Sequence, residues 1–302
     1  YSWRGAEIKN FLTFDKIYKN CKVFKLEQNY RSTKNILETA SKLISNNTSR
    51  VGKNLWSSSQ QGELVKLNCY QTGKEEAIGI CDIIEKNLKK KYSLNNVTIL
   101  VRAIYQTREF EERFLKIGVG YRVLGGTKFY ERAEIKDAVS YLRIINQKYD
   151  DLALERVIGT PKRGVGESTI NQLYSFSSKN KLCLEDSILK ILELNQFKPK
   201  IKTSLSQLIN MIYKWRKDLK TNKHFDLLKL VLDESGYSEM LKNKKDIENE
   251  NRLENIKELL SAMKEFDNLE GFLEHVALAT SIDQNWEGEK VSLMTMHAAK
   301  GL

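Results

Sequence analysis

The sequence predicts an α/β fold in which a parallel sheet with packed helices is interrupted by a large all-helical insertion. Three observations lead to this prediction. Strand-like and helix-like segments alternate through residues 22–124, which is the pattern of a parallel sheet. From residue 133 to about 280 the apolar positions keep the helical period almost without interruption. A strand pattern then returns at residues 291–296.

The first strand and helix are predicted near the start of the chain. The run KVFKLE at 22–27 combines β-branched and aromatic residues, which is typical of a strand. Ser32 or Thr33 would cap the helix that follows. The core-facing stripe of this helix is expected to consist of Ile36, Leu37, Ala40, Leu43 and Ile44.

Two more strand and helix pairs follow. Apolar residues alternate over 65–69 as in a strand, and the next helix carries its apolar face between Ala77 and Leu88. Residues 97–102 (VTILVR) indicate a buried strand, which a helix with Phe110 and Phe114 separates from a strand at 121–124. Three apolar stripes at helical spacing each predict one helix of the insertion. They are Ile135, Val139 and Leu142; Leu205, Leu208, Ile209, Ile212 and Trp215; and Leu253, Ile256, Leu259, Leu260 and Met263.

Composition limits the classes of function. With 302 residues the chain is long enough for about two domains. Its 50 Lys and Arg residues exceed its 39 Asp and Glu residues, giving a net charge of +11. This surplus favours a nucleic-acid partner, although a Lys- and Asn-rich composition without a polyanionic partner is the alternative.

Cysteine and histidine usage points to a cytoplasmic protein without a structural metal. None of the four cysteines lies in a CxxC pair, and the three histidines do not complete a metal-ligand spacing. We therefore expect reduced cysteines, as in the cytoplasm. The sequence contains neither an apolar run of membrane-spanning length nor a signal peptide.

The segment LEQNYRST (26–33) lies where a strand passes into a helix, the junction at which open α/β sheets bind ligands. The helix N-terminus favours anions, and Arg31 offers a guanidinium for a phosphate. Tyr30 beside it offers a flat face for a base. Alternatively, Tyr30 and Arg31 are an ordinary surface pair.

Two other segments carry candidate nucleic-acid contacts. YSWRGA (1–6) places Tyr1, Trp3 and Arg4 together in a turn, which suits base stacking or, alternatively, a packed core tryptophan. TMHAAKGL (295–302) follows the returning strand, so Thr295 and His297 would lie at the strand's carboxyl end, with Lys300 and Gly301 in the next turn. The alternative for this segment is a plain strand-to-loop exit with a solvated lysine.

A glycine-containing turn lies within the helical insertion. In TPKRGVGEST (160–169), Gly164 and Gly166 allow a tight bend between helices, Lys162 and Arg163 supply positive charge, and Ser168 would cap the next helix. Such a turn suits contact with the phosphate backbone of a duplex without reading its sequence. An ordinary glycine-containing helix turn is the alternative.

Taken together, these segments resemble superfamily I DNA helicases of the UvrD/PcrA/Rep type. YSWRGA is similar to helicase motif III, LEQNYRST to motif IV and VSLMTMHAAKGL (291–302) to motif V. VLGGTKFYERAEIKDAVSYLR (123–143) resembles the segment with which the inserted domain of these helicases begins. The segments occur in family order, and the resemblance covers essentially the whole chain.

The resemblance implies a role for each candidate residue. Tyr30 would stack on the adenine of ATP, and Arg31 would contact its γ-phosphate. The expected single-stranded DNA contacts are Tyr1, Trp3, Arg102, Thr295 and His297. The expected duplex contacts are Lys162, Arg163, Gly164, Val165 and Gly166. Arg4, together with the loop that contains Lys300 and Gly301, would couple the nucleotide site to the strand.

The resemblance also implies a domain layout. Residues 1–21 would be the tail of a first RecA-like domain, and 22–124 the first part of a second RecA-like, P-loop NTPase domain. Residues 125–287 would be the helical insertion. Gly125 and Gly126 would form its flexible start, so that the insertion could swivel as a rigid body. Residues 288–302 would return to the second RecA-like domain.

The sequence departs from the family pattern at several positions. Ile104 stands where the family commonly carries an asparagine, which leaves Arg102 and Gln106 as the polar residues of that segment. The sequence contains no GxxxxGK[ST] phosphate loop, and the acidic Mg²⁺-binding box and the later arginine motif are also missing. We therefore expect ATP and Mg²⁺ to act in the parent protein, and this chain alone to be inactive.

The expected function is that of an ATP-dependent 3′-5′ DNA helicase of DNA repair. Its expected partners are single-stranded DNA, duplex DNA at a fork and repair proteins, and no membrane. Two alternatives stay open: a non-catalytic module that binds DNA or docks proteins, and the helicase subunit of a recombination helicase–nuclease.

Overall fold

A computed structural model describes residues 7–47, 52–88, 92–194, 197–243, 247–282 and 287–301. The chain divides into two compact units, one ending at Cys69 and the other beginning at Tyr70. The predictions for Tyr1, Trp3 and Arg4 lie outside the described residues.

In the first unit the described residues form three helices, α1 (Ile8–Leu12), α2 (Phe14–Ile17) and α3 (Lys34–Ser45). The strands predicted at 22–27 and 65–69 do not form. In this region the described residues contain only an isolated parallel bridge between Gln28 and Trp56. Of the five residues in the predicted stripe of α3, only Leu37 is buried, and Leu43 is 75% exposed. The prediction of a core-facing stripe was wrong because a single bridge provides no sheet surface for α3 to pack against.

The second unit contains a parallel sheet of three strands. These are β1 (Thr98–Val101), β2 (Tyr121–Leu124) and β3 (Val291–Thr295), in the order β1–β3–β2. Val101 pairs with Thr295, and Leu124 pairs with Met294. The central strand β3 therefore comes last in the sequence, and its first four residues are buried. The predictions of three strands near these positions and of their parallel arrangement are confirmed.

Two helices, α4 (Gly73–Leu88) and α5 (Thr107–Ile117), accompany the sheet. They form one apolar core with it, to which α4 contributes Cys81, α5 contributes Phe114 and β3 contributes Leu293. Gly118 ends α5 in the left-handed conformation, with φ +65°, which favours glycine at that position.

Between β2 and β3 the described residues form helices and 3₁₀ turns, as predicted. The helices are α6 (Ala133–Asn146), α7 (Asp151–Gly159), α8 (Glu167–Asn180), α9 (Leu184–Glu193), α10 (Pro199–Asp218), α11 (His224–Glu234), α12 (Tyr237–Lys242), α13 (Ile247–Met263) and α14 (Leu269–Ile282). One large core unites them, and Leu142, Trp215 and Phe272 lie fully buried in it. The sequence stripes of α6 and α10 are buried, which confirms that these faces point inward.

No helix in the described parts of the chain combines the length and the apolar character needed to cross a membrane.

Candidate functional site

The carboxyl edge of the sheet brings two predicted DNA contacts together. Because the strands are parallel and Val101 pairs with Thr295, β1 and β3 end side by side. The backbone N–H of Met296 continues the ladder by donating to the Val101 carbonyl at 3.2 Å. Arg102 therefore leaves β1 at the edge where Thr295 ends β3, the position at which open parallel sheets bind ligands.

The loop after β3 is shaped by Thr295 and by a glycine at the end of β2. The Thr295 hydroxyl accepts a hydrogen bond from the Ala298 N–H at 3.3 Å. Gly125 has φ +77°, and a Cβ at Gly125 would lie 3.0 Å from the Ala298 side chain. Glycine therefore meets both a conformational and a steric requirement here. His297 and Lys300 are exposed, and Gly301 ends the 3₁₀ turn Ala298–Gly301.

The loop after β1 is held by Gln106. Its side-chain oxygen accepts hydrogen bonds from the backbone N–H groups of Arg102 and Ala103, both at 3.0 Å. This leaves the exposed side chain of Arg102 on a defined turn. Ile104, which replaces the common asparagine of the family pattern, lies 3.3 Å from the position of a Cβ at Gly126. Ile104 thus makes an apolar contact with the loop after β2, at the position where the family pattern has a polar residue.

In the first unit, Tyr30 and Arg31 lie on a turn that Asn29 forms. The side-chain Oδ1 of Asn29 accepts hydrogen bonds from the backbone N–H groups of Arg31, at 2.9 Å, and Ser32, at 2.8 Å. Tyr30 is 80% exposed, and its hydroxyl donates to Gln28 at 2.8 Å. An exposed aromatic face thus adjoins an exposed arginine.

The N-terminus of α3 adds less to this turn than the sequence suggested. The first two N–H groups of α3, those of Lys34 and Asn35, donate to the carbonyls of Gln60 and Gln61 at 3.3 and 3.1 Å. The N-cap residue is Thr33, as predicted, but its side chain makes no capping hydrogen bond. Because these amides already have acceptors, the expectation that they help to bind a phosphate is corrected.

The turn predicted to contact duplex DNA joins α7 to α8, and Gly164 lies in it with φ +74°. Lys162, Gly164 and Gly166 are exposed, whereas Val165 packs against the helical core. Gly166 itself is the N-cap of α8, so the prediction that Ser168 caps this helix was wrong. Without a side chain at the cap, the backbone of the turn is open to a large ligand.

Arg163 points into the protein rather than outward. Its guanidinium donates to the Tyr141 hydroxyl at 2.9 Å and to the Pro161 carbonyl at 3.0 Å, and it also contacts the Val157 carbonyl. These acceptors surround the base of the turn. The prediction that Arg163 contacts phosphate is therefore corrected: its guanidinium stabilises the turn by hydrogen bonds to neighbouring backbone and side-chain oxygens.

Sequence reasoning missed a lysine beside this turn. The terminal methylene of Lys200 lies 3.9 Å from the position of a Cβ at Gly164. Lys198 and Lys202 flank it, and the first turn of α10 contains no acidic residue. Cations at a helix N-terminus oppose the helix dipole. The basic run KPKIK (198–202) at a helix start could have indicated a phosphate contact. Because it lies more than 30 residues from Gly164 in the sequence, its closeness to the turn could not be predicted.

Residues 24–302 match the UvrD-like helicase C-terminal domain, and the chain belongs to this family of superfamily I DNA helicases. It is 42% identical over 306 residues to DNA helicase II of Rickettsia typhi and covers 46% of that protein. It is 40% identical over 306 residues to the probable DNA helicase II homolog of Rickettsia conorii and covers 47% of it. It is 38% identical over 318 residues to the ATP-dependent DNA helicase PcrA of Bacillus subtilis and covers 43% of it.

These alignments include all of the present chain, which spans less than half the length of the curated relatives it matches.

Substituting Gly164 by alanine should destabilise the chain by about 1–2 kcal/mol because a Cβ is strained in the left-handed region. The nearest atom to the new Cβ would be 3.9 Å away, so the loss would reflect backbone strain rather than a clash. Chemical denaturation measures it. Gly159→Ala is the matched control, since Gly159 ends α7 with open space around it. This control should be neutral or stabilising by up to about 1 kcal/mol. Equal losses of unfolding free energy in the two variants would contradict the left-handed backbone conformation of Gly164.

Proposed function

We propose that this chain supplies the ATP-sensing and DNA-contacting parts of the second RecA-like domain of a 3′-5′ DNA helicase that acts in DNA repair. The observation that carries the proposal is the convergence of Arg102, Gly125 and Thr295 at the carboxyl edge of the parallel sheet. Membership of the UvrD-like family and similarity to DNA helicase II and PcrA support the helicase part of this proposal.

Single-stranded DNA is proposed to lie along this edge. Arg102 would contact a phosphate, while the loop that begins at Thr295 would contact the backbone of the strand through Thr295 and His297. Lys300 and Gly301 continue this loop, and in our proposal they transmit the state of the nucleotide to the strand. Tyr1 and Trp3 would add base stacking, and Arg4 would join the coupling.

Duplex DNA is proposed to contact the helical insertion through the turn 162–166. Lys162 and Lys200 would each neutralise a phosphate, while the backbone at Gly164 and Gly166 approaches the duplex closely. Arg163 would hold the shape of the turn. In this proposal the two lysines neutralise phosphates and Arg163 maintains the turn. None of these residues would distinguish one DNA sequence from another.

Tyr30 and Arg31 are the proposed nucleotide contacts. The exposed ring of Tyr30 fits stacking on adenine, and the Arg31 guanidinium would offset charge on the γ-phosphate. Among the described residues no group of three or more His, Cys, Asp or Glu side chains could hold a metal ion. We therefore assign Mg²⁺ and the phosphate loop to parts of the helicase other than those this chain provides.

The domain layout is proposed as residues 1–21, 22–124, 125–287 and 288–302, the first being the tail of another RecA-like domain. The third would be the duplex-binding insertion. It would leave the sheet after β2 and return to it before β3, which agrees with the helices that the described residues form between those strands.

Replacing Lys200 by alanine should weaken binding to duplex DNA and lower the slope of log affinity against log salt by about one, because one phosphate contact is lost. Fluorescence anisotropy of a labelled duplex at several salt concentrations measures both quantities. Lys257→Ala is the charge-matched control, because Lys257 lies in α13 and pairs with Glu254. An unchanged slope for K200A, or equal slopes for the two variants, would place the duplex elsewhere.

The purified chain should not hydrolyse ATP, with or without single-stranded DNA, because its sequence lacks the phosphate loop. Phosphate release with Mg²⁺ present is the measurement. The Rickettsia typhi relative serves as the positive control under the same conditions. Turnover that depends on Mg²⁺ and elutes with the chain would overturn this part of the proposal.

Arg31 is tested in a chimera in which this chain replaces the matching part of the Rickettsia typhi protein. Arg31→Ala should lower the kcat for DNA-stimulated ATP hydrolysis by about 10³-fold, as for other arginines that reach a transferring phosphate. The affinity for single-stranded DNA should stay the same. Lys34→Ala, which removes another exposed charge from the start of α3, is the control and should leave kcat unchanged. Full activity of the R31A chimera would refute the proposed nucleotide contact.

A further inference from the structure

An unusual group of buried charges lies where the loops of the sheet meet the first helix of the insertion. Arg132, the N-cap residue of α6, is only 5% exposed, and Glu111 of α5 is 3% exposed. Charged side chains are almost never buried to this degree unless they are paired and hydrogen-bonded. Their partners therefore indicate what the group holds together.

On one side, Arg132 binds the loops that leave β1 and β2. Its guanidinium donates to the Ile104 carbonyl at 3.3 Å and to the Thr107 hydroxyl at 2.8 Å, both after β1. It also donates to the Thr127 carbonyl at 3.3 Å, after β2. These loops begin with Arg102 and Gly125, so one buried side chain joins both loops of the carboxyl edge.

On the other side, Arg132 binds the helical insertion. It donates to the side-chain Oδ1 of Asn255 in α13 at 2.6 Å, and the side-chain Nδ2 of Asn255 donates to Glu134 of α6 at 2.5 Å. Arg132 also pairs with Glu111 at 3.3 Å, and the other oxygen of Glu111 accepts the Phe129 N–H at 2.9 Å. The insertion is thereby tied to the same group that shapes the edge.

A second polar link supports the same arrangement. Glu112 of α5 accepts hydrogen bonds from the Tyr130 hydroxyl at 2.5 Å and from His275 of α14 at 2.9 Å. Burial alone would raise the pKa of Glu112, but the bonds with His275 and Tyr130 and the nearby Arg108 lower it below its ordinary value. The carboxylate is therefore stabilised in its charged form.

Desolvation offsets much of the attraction within a buried ion pair, whereas removing one partner leaves an uncompensated buried charge and is costly. We infer that Arg132 is a positioning residue that holds the single-strand edge of the sheet and the helical insertion in one arrangement, so that both contact the same forked DNA. The inference rests on the proposed function and deepens it, because it says how two separate DNA contacts act as one site.

The test compares the affinity of the purified chain for a labelled fork with its affinity for the single-stranded arm and the duplex arm alone. Two linked contacts should make the fork bind about 10²-fold more tightly than either arm. Arg132→Lys keeps the charge but cannot reach both loops and Asn255. It should lower this fork advantage about tenfold or more, while the affinity for each arm changes less than about twofold.

Arg216→Lys is the matched control. Arg216 is another half-buried arginine clamp, which binds both oxygens of Glu185 and the Ile144 carbonyl, but all its partners lie within the insertion. It should lower the melting temperature and leave the fork advantage intact. Thr107→Val is a second test that does not depend on how R132K folds, because it removes an acceptor of Arg132 on the sheet side and leaves the contacts with Thr127 and Asn255 in place. It should also lower the fork advantage.

The outcomes separate the two proposals. A wild-type chain that binds neither arm would refute the proposed function and this inference together. A wild-type chain with a fork advantage that R132K and T107V both retain would refute the inference alone. Equal losses for the fork and for both arms would also refute it, because they would show that Arg132 only stabilises the fold.

Discussion

The fold depends on the pairing of β3 with both β1 and β2. The central strand of the sheet comes last in the sequence, after the whole helical run, and it pairs in register with Val101 on one side and Leu124 on the other. The ends of the run must therefore lie side by side, since Tyr121 of β2 pairs with Val291 of β3. The same pairing sets the carboxyl edge, because parallel strands end together. A contact edge and an insertion anchored beside it thus follow from one set of backbone hydrogen bonds.

An anchor made only of two chain crossings would leave the insertion free to rotate, and the buried polar group around Arg132 opposes that rotation. Gly125 and Gly126 were expected to provide a flexible start. Gly125 instead rests against Ala298, and the chain two residues later is bound by Arg132 through the Thr127 carbonyl. A rigid-body swivel of residues 125–287 would have to break the contacts of Arg132 with Ile104, Thr107 and Glu111, which lie before Gly125 in the chain. Such contacts favour discrete arrangements over continuous bending.

The sequence predicted the second unit better than the first, for a physical reason. Strands β1 and β2 are short, but both pair with β3, and the first four residues of β3 are buried as its apolar pattern predicts. Residues 22–27 have the same type of pattern, yet the described part of that unit offers Gln28 only the single partner Trp56. A periodic pattern shows which side chains of a segment could be buried. Whether they are buried depends on a neighbouring strand or helix that packs against them. Side-chain direction was also beyond the sequence: Arg163 and Lys162 are neighbours in one basic run, but Arg163 turns inward to Tyr141 while Lys162 stays exposed.

The placement of positive charge links these observations. Arg132, Arg163 and Arg216 each bind several fixed acceptors in the interior, which suits a planar guanidinium with five donors. Lys162 of the turn and Lys200 of α10 are exposed, and Lys200 opposes the dipole of its own helix because it lies in the first helical turn. Folding stability would not select lysines at that helix end, whereas a polyanion passing Gly164 would. These basic residues are thus of two kinds: arginines whose guanidinium groups are held by several interior acceptors, and exposed lysines close to Gly164.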